Sequence, residues 1–141
     1  MFPGSNPGPG STIIYAEKVI NLREMLRKIL EEVSKEKDLF LQKRDNEFIL
    51  SSKHHPIKIL VVSTSSGYAV KLYCENLRDF IEDLLEEENP RETLENILSE
   101  LSNIAYTIHS RLRENGMETR MMIRDFILDA LEELEDAIEE G

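Results

Sequence analysis

The residues best suited to chemistry are carboxylates near the C terminus, where acidic side chains recur at three- and four-residue spacings along a predicted helix. Helical magnesium-dependent nucleotide hydrolases hold their ions with paired acidic positions of this kind. Acidic residues are equally dense in the predicted helix that follows the sheet and at the C terminus, so we favour a solvated helix face and keep a metal-dependent hydrolase as an alternative. The carboxylates of that alternative site are Asp125, Asp129, Glu132, Glu133 and Asp136.

Three histidines and one cysteine are the other candidates for catalysis. His54 and His55 are adjacent in a predicted turn and point in opposite directions, so they form no chelate on their own. His109 lies beside the buried stripe of a predicted helix, with no serine, cysteine or aspartate spaced to form a relay. Cys74 falls on the apolar face of a predicted strand. We therefore predict a solvated polar turn at His54 and His55, a packed or boundary position for His109, an inert thiol, no cofactor and no enzymatic activity.

Several classes of protein are disfavoured by composition. No glycine-rich strand-to-helix loop with a following lysine is present, which argues against P-loop and Rossmann nucleotide sites. A single cysteine rules out an internal disulfide framework, and no apolar run approaches the roughly 20 residues that cross a bilayer. We expect a cytoplasmic protein. Abundant Glu, Arg, Lys and Ile with one glutamine, Gln42, is a bias associated with hyperthermophiles.

The net charge of −11 is distributed unevenly along the chain. Residues 1–74 carry 11 Lys and Arg against 8 Asp and Glu, whereas residues 75–141 carry 6 Arg against 20 Asp and Glu. Every lysine therefore lies in the first half, and the second half repels polyanions. Any contact with nucleic acid would have to use the first half.

Hydrophobic periodicity divides the chain into elements. An amphipathic helix is predicted from about residue 14 to residue 36, with an apolar stripe at three- and four-residue spacings. Between about residues 38 and 74, four short runs rich in β-branched and aromatic residues, separated by turn signals, predict an antiparallel meander. The first run could instead extend the helix, which would leave three strands. The helical stripe consists of Val19, Leu22, Met25, Leu26, Ile29, Leu30 and Val33.

Three helices are predicted between about residues 76 and 139. Asn89-Pro90 is a helix cap followed by proline at the first helical position, and Asn115-Gly116 supplies a left-handed stop. Residues 1–11, rich in glycine and proline, are predicted to be a flexible tail on a single α+β domain that spans residues 12–141.

Alternation in the third and fourth strands predicts one core face and one mixed face. The mixed face combines apolar groups with lysines and a tyrosine, which suits association with another protein. The leading interpretation is therefore a non-enzymatic interaction or regulatory module and a homodimer, in which the basic sheet of one protomer lies against acidic helices of another. The candidate binding residues on this face are Lys58, Leu60, Val62, Lys71 and Tyr73.

Single-stranded nucleic acid is the alternative partner for this face. An aromatic ring that stacks on a base, with cations that track phosphates, is typical of such binders. The strongly acidic second half argues against this alternative. The additional groups that would take part, at the adjoining turns, are Lys43, Arg44, Lys53, His54 and His55.

Overall fold

The computed structural model describes the backbone of residues 8–140 and the side chains of residues 21–140. The predicted α+β class and the order of helix, antiparallel sheet and later helices are confirmed. The elements in chain order are α1 (Gly8–Lys37), β1 (Phe40–Arg44), β2 (Glu47–Ser51), β3 (Lys58–Thr64), β4 (Gly67–Tyr73), α2 (Leu77–Leu84), α3 (Pro90–Glu114), β5 (Thr119–Met122) and α4 (Arg124–Glu140).

The sheet has five strands in the order β1-β2-β3-β4-β5. The first four form the predicted antiparallel meander. The first run is a strand and not an extension of α1. Asp38 adopts a left-handed conformation with φ 55°, and the Leu39 amide donates to the carbonyl of Ser34 at 2.8 Å. Together they end the helix just before β1.

The sequence analysis did not predict β5, which pairs with β4 in parallel. Its four residues, Thr-Arg-Met-Met, are too few to show a period of two, and they include one β-branched residue and no aromatic residue. The stop at Asn115-Gly116 ends α3 as predicted, but the chain then enters this edge strand before α4 begins.

One hydrophobic cluster forms the core, and all four helices of the described chain contribute to it. The strands contribute only alternate residues, which define the inner face of the sheet. From β2 to β4 these core residues are Phe48, Leu50, Ile59, Val61, Val70 and Leu72. Since every helix packs into a cluster that lies on the inner face, the helices cover one side of the sheet.

Helix α1 is longer than predicted, with 30 residues. It begins at Gly8, so residues 8–11 of the predicted tail are helical, and residues 1–7 lie outside the described part of the chain. Proline is tolerated in the first turn of a helix because its missing N–H would have no intrahelical partner there, which explains how Pro9 fits. Leu26 is the first buried side chain along the described part of α1, while Leu22 and Met25 are exposed.

The later helices begin where their capping residues predict. The Asn89 side chain accepts from the amide of Glu92 at 3.3 Å, with Pro90 at the first helical position. Asn76 caps α2 in the same way, accepting from Asp79. Ion pairs join neighbouring helices at the surface: Glu36 of α1 with Arg111 of α3, and Arg91 of α3 with Glu135 of α4. Exposed pairs of this kind each contribute at most about 1 kcal/mol, so the apolar core dominates stability.

Within the described residues, none of the helices has a stretch long and apolar enough to traverse a bilayer.

Gly67 lies against Glu118, the residue that precedes β5, and the Gly67→Ala substitution tests that packing. A Cβ at this position would overlap the backbone oxygen of Glu118 and lie 2.8 Å from the Glu118 Cβ. We expect a loss of about 2 kcal/mol in the free energy of unfolding, measured by urea denaturation.

Gly116→Ala is the matched control for this substitution. Gly67 and Gly116 both have a positive φ, of 156° and 79°, but no atom lies within 4 Å of a Cβ added at Gly116. Only the backbone conformation is then penalised, at about 1 kcal/mol. Equal losses in the two variants would contradict a close contact at Gly67.

Candidate functional site

The outer face of the sheet is the surface opposite the core. Strand register places its residues in rows that run across the sheet, because directly paired residues share a face. One row contains Arg44, Glu47, Val62, Ala69 and Arg120, and the next contains Gln42, Ile49, Leu60, Lys71 and Met122. The predicted division of β3 and β4 into two faces agrees with this register.

The centre of the outer face is apolar. Ile49 and Ala69 are buried there, and Leu60 and Val62 are half-buried. None of these four side chains belongs to the core cluster or packs against it. They therefore lie on the side of the sheet that faces away from the core.

Large exposed side chains surround this centre. Tyr73 is 46% exposed, Met122 52% and Phe40 57%. The ammonium group of Lys53 lies 5.6 Å from the centroid of the Phe40 ring, which places Lys53 at the β1 edge of the outer face. Aromatic and methionine side chains with this exposure are characteristic of binding surfaces.

The outer face carries more positive than negative charge, although the chain as a whole is acidic. Its strands present the cations of Arg44, Lys58, Lys71 and Arg120, whereas Glu47 is the strand carboxylate on this side. None of these side chains takes part in an ion pair within residues 21–140. The cations are therefore available to an approaching anionic surface.

A shallow hollow crosses the middle of the outer face. Its floor is formed by Ile49 and Leu60, and charged or aromatic side chains surround the floor. The hollow brings together three of the predicted binding residues, Lys58, Leu60 and Tyr73, with Arg44, which was predicted for the nucleic-acid alternative, and with residues of β2 that were not predicted. The remaining lining residues are Glu47 and Glu75.

Two of the predicted cationic groups lie away from the outer face. Lys43 is paired with Phe48, so its side chain is on the inner side, in a hollow beside Arg23 and Arg27 of α1. The side-chain period of two places Lys43 and Arg44 on opposite faces. His55 is half-buried and lies close enough to Glu100 of α3 to be influenced by its charge, so it too belongs to the helical side.

Residues of β5 on the outer face were missed. Arg120 pairs with Ala69 and Met122 pairs with Lys71, so both widen the predicted surface. Without the parallel pairing of β5 with β4, their sequence positions give no sign that they join this face.

Cys74 and His109, the remaining candidates for catalysis, lie in surroundings that favour a structural role. Burial raises the pKa of the Cys74 thiol, which favours the protonated and less nucleophilic form. The ring nitrogen Nε2 of His109 lies 3.1 Å from the carbonyl oxygen of Thr119 and links α3 to β5. His109 is therefore accounted for by packing.

The late carboxylates are spread over the outside of α4. Asp125, Asp129, Glu132 and Asp136 are exposed and Glu133 is half-buried. Within the described part of the chain, no group of three or more His, Cys, Asp or Glu residues is arranged to hold a metal ion. The acidic residues that recur at three- and four-residue spacings in the sequence therefore lie on the solvated surface of α4.

Comparisons with protein-family models, curated proteins and solved structures found no match.

Burial lowers the pKa of His55, and Glu100 opposes this effect only in part. The Nδ1 atom of His55 is buried and lacks a hydrogen-bond partner among the described residues. The unfolded chain therefore binds a proton more readily than the folded chain. Stability contributed by neutral His55 is present above the ordinary histidine pKa and is lost as pH falls through it.

We expect the free energy of unfolding to fall more steeply between pH 7.5 and pH 5.5 in the wild type than in His55→Gln. Urea denaturation at each pH provides the measurement. An NMR titration of the imidazole protons, assigned by their loss in His55→Gln, reports the pKa directly. Titration of His55 at or above the ordinary histidine value would contradict the expectation.

Proposed function

We propose that this protein is a non-enzymatic protein-interaction module that associates through the outer face of its sheet, with a second copy of itself as the partner. The observation that carries the proposal is that the helices pack into a core on the inner face, while the apolar centre of the outer face lies outside that core. A cytoplasmic location, expected from the sequence, is part of the proposal.

The distribution of side chains supports a protein partner. Leu60 and Val62 lie at the centre, and cations and exposed aromatic groups lie around them. Protein interfaces combine an apolar centre with a polar rim in this way. A surface for single-stranded nucleic acid would have its stacking rings in the middle, where this sheet has aliphatic side chains.

The double variant Lys58→Glu/Lys71→Glu tests this proposal. Reversing both cations should weaken self-association about tenfold or more, since complementary contacts become repulsive. Sedimentation velocity or light scattering over a concentration series measures the effect, and circular dichroism verifies the fold.

Lys28→Glu/Lys35→Glu provides a control with the same change in net charge on the exposed side of α1. It should associate like the wild type. A wild type that stays monomeric at every concentration, or equal weakening in both variants, would contradict an interface on the outer face.

Single-stranded nucleic acid is a second candidate because Tyr73, which is 46% exposed, pairs directly with Lys58. A base could stack on the ring while the ammonium group contacts a phosphate. If so, Tyr73→Ala should weaken binding of a labelled oligonucleotide about tenfold, and Tyr106→Ala, at a tyrosine of α3 that is 64% exposed, should not. Absent or salt-insensitive binding would remove this candidate.

A further inference from the structure

A symmetric contact between two outer faces is electrostatically unfavourable. In a twofold dimer the same surface of both protomers meets itself. The cationic surface of Arg44, Lys58, Lys71 and Arg120 would then face the same cationic surface of the other copy, with Glu47 as the strand carboxylate on each side. Like charges placed together across an interface cost several kcal/mol, so the surface that meets the outer face should be acidic.

The chain presents such a surface in a groove between α2 and α4. The groove is lined by the carboxylates of Glu82, Glu133, Asp136 and Glu140. One cation, Arg78, lies among them, and it is shared between Glu82 at 3.6 Å and Glu140 at 3.7 Å. The groove is therefore negative where the outer face is positive.

The groove also has apolar surface to offer. Leu85, which caps the C terminus of α2, lines the groove and is 38% exposed. An acidic groove with an exposed leucine complements the outer face in both respects: its carboxylates suit the cations at the rim of the outer face, and Leu85 suits the apolar centre around Leu60.

We propose that the outer face of one protomer binds the α2–α4 groove of a second copy. This inference rests on the proposed function, because it takes the outer face as the interface and identifies the surface that meets it. The two surfaces share no residue and lie on different sides of the fold, since the helices lie on the inner side of the sheet.

Contact between two different surfaces is head-to-tail. Each added copy leaves one outer face and one groove unoccupied, so the assembly grows as an open chain unless its rotation closes a ring. The average mass should therefore rise with concentration beyond that of a dimer. Because the contact joins exposed charges, raising the salt concentration should shift the protein toward the monomer.

Complementation between two variants tests the proposal. Lys58→Glu/Lys71→Glu removes the outer face as a partner for the groove, and Glu82→Lys/Asp136→Lys removes the groove as a partner for the face. Each variant alone should associate at least about tenfold more weakly than the wild type. An equimolar mixture should recover association, because the first variant keeps an intact groove and the second an intact outer face.

Glu95→Lys/Glu114→Lys on α3 is the control for the groove variant, with the same change in net charge at exposed positions outside the groove. It should associate as the wild type does. Light scattering on the full chain, at matched concentration and salt, compares all variants and mixtures.

The outcomes separate this inference from the proposed function. If the sheet variant is monomeric but the groove variant associates normally, the groove is not the partner surface and the outer-face interface stands. If both variants are monomeric and their mixture stays monomeric, head-to-tail contact is overturned. If neither variant changes association, both proposals fail. A wild type that remains a dimer at all concentrations overturns the open chain.

Discussion

The alternation of side chains along each β-strand is the constraint on which the rest of this structure depends. A pleated strand sends neighbouring residues to opposite sides, and register aligns the same side across all five strands. Ile59 therefore points into the core while Leu60, the next residue, lies outside it. A shift of one residue would move Lys58 and Lys71 under the helices, where unpaired charges would be strongly destabilising.

The fold could be predicted from sequence wherever a local pattern determined the local structure. The period of two in β3 and β4 predicted which side each residue occupies, and Asn89-Pro90 predicted the start of α3. The buried residues of α3 recur at three- and four-residue spacings, because a long helix with a regular apolar spacing has one face to bury. Lys58, Leu60 and Tyr73 were placed together on these grounds, and the register brings them to one hollow.

What could not be predicted depends on contacts between distant residues. The strand β5 exists because β4 offers it an edge, and its four residues carry no pattern of their own. Arg120 and Met122 were missed for that reason. Lys43 and Arg44 were treated as one cationic turn, although adjacent strand residues face opposite ways, and only the pairing with β2 shows which of them joins the outer face.

The parallel strand β5 also affects the order in which the elements of one chain fold. The four strands of the meander are joined by short connections, so their pairing closes only small loops. Pairing of Tyr68 with Thr119 instead closes a loop that contains all of α2 and α3. Closing this longer loop has a larger cost in conformational entropy. We expect the hairpins to form early and the last strand to dock late. Amide protons shared between β4 and β5 should then exchange with solvent sooner than those at the centre of the sheet.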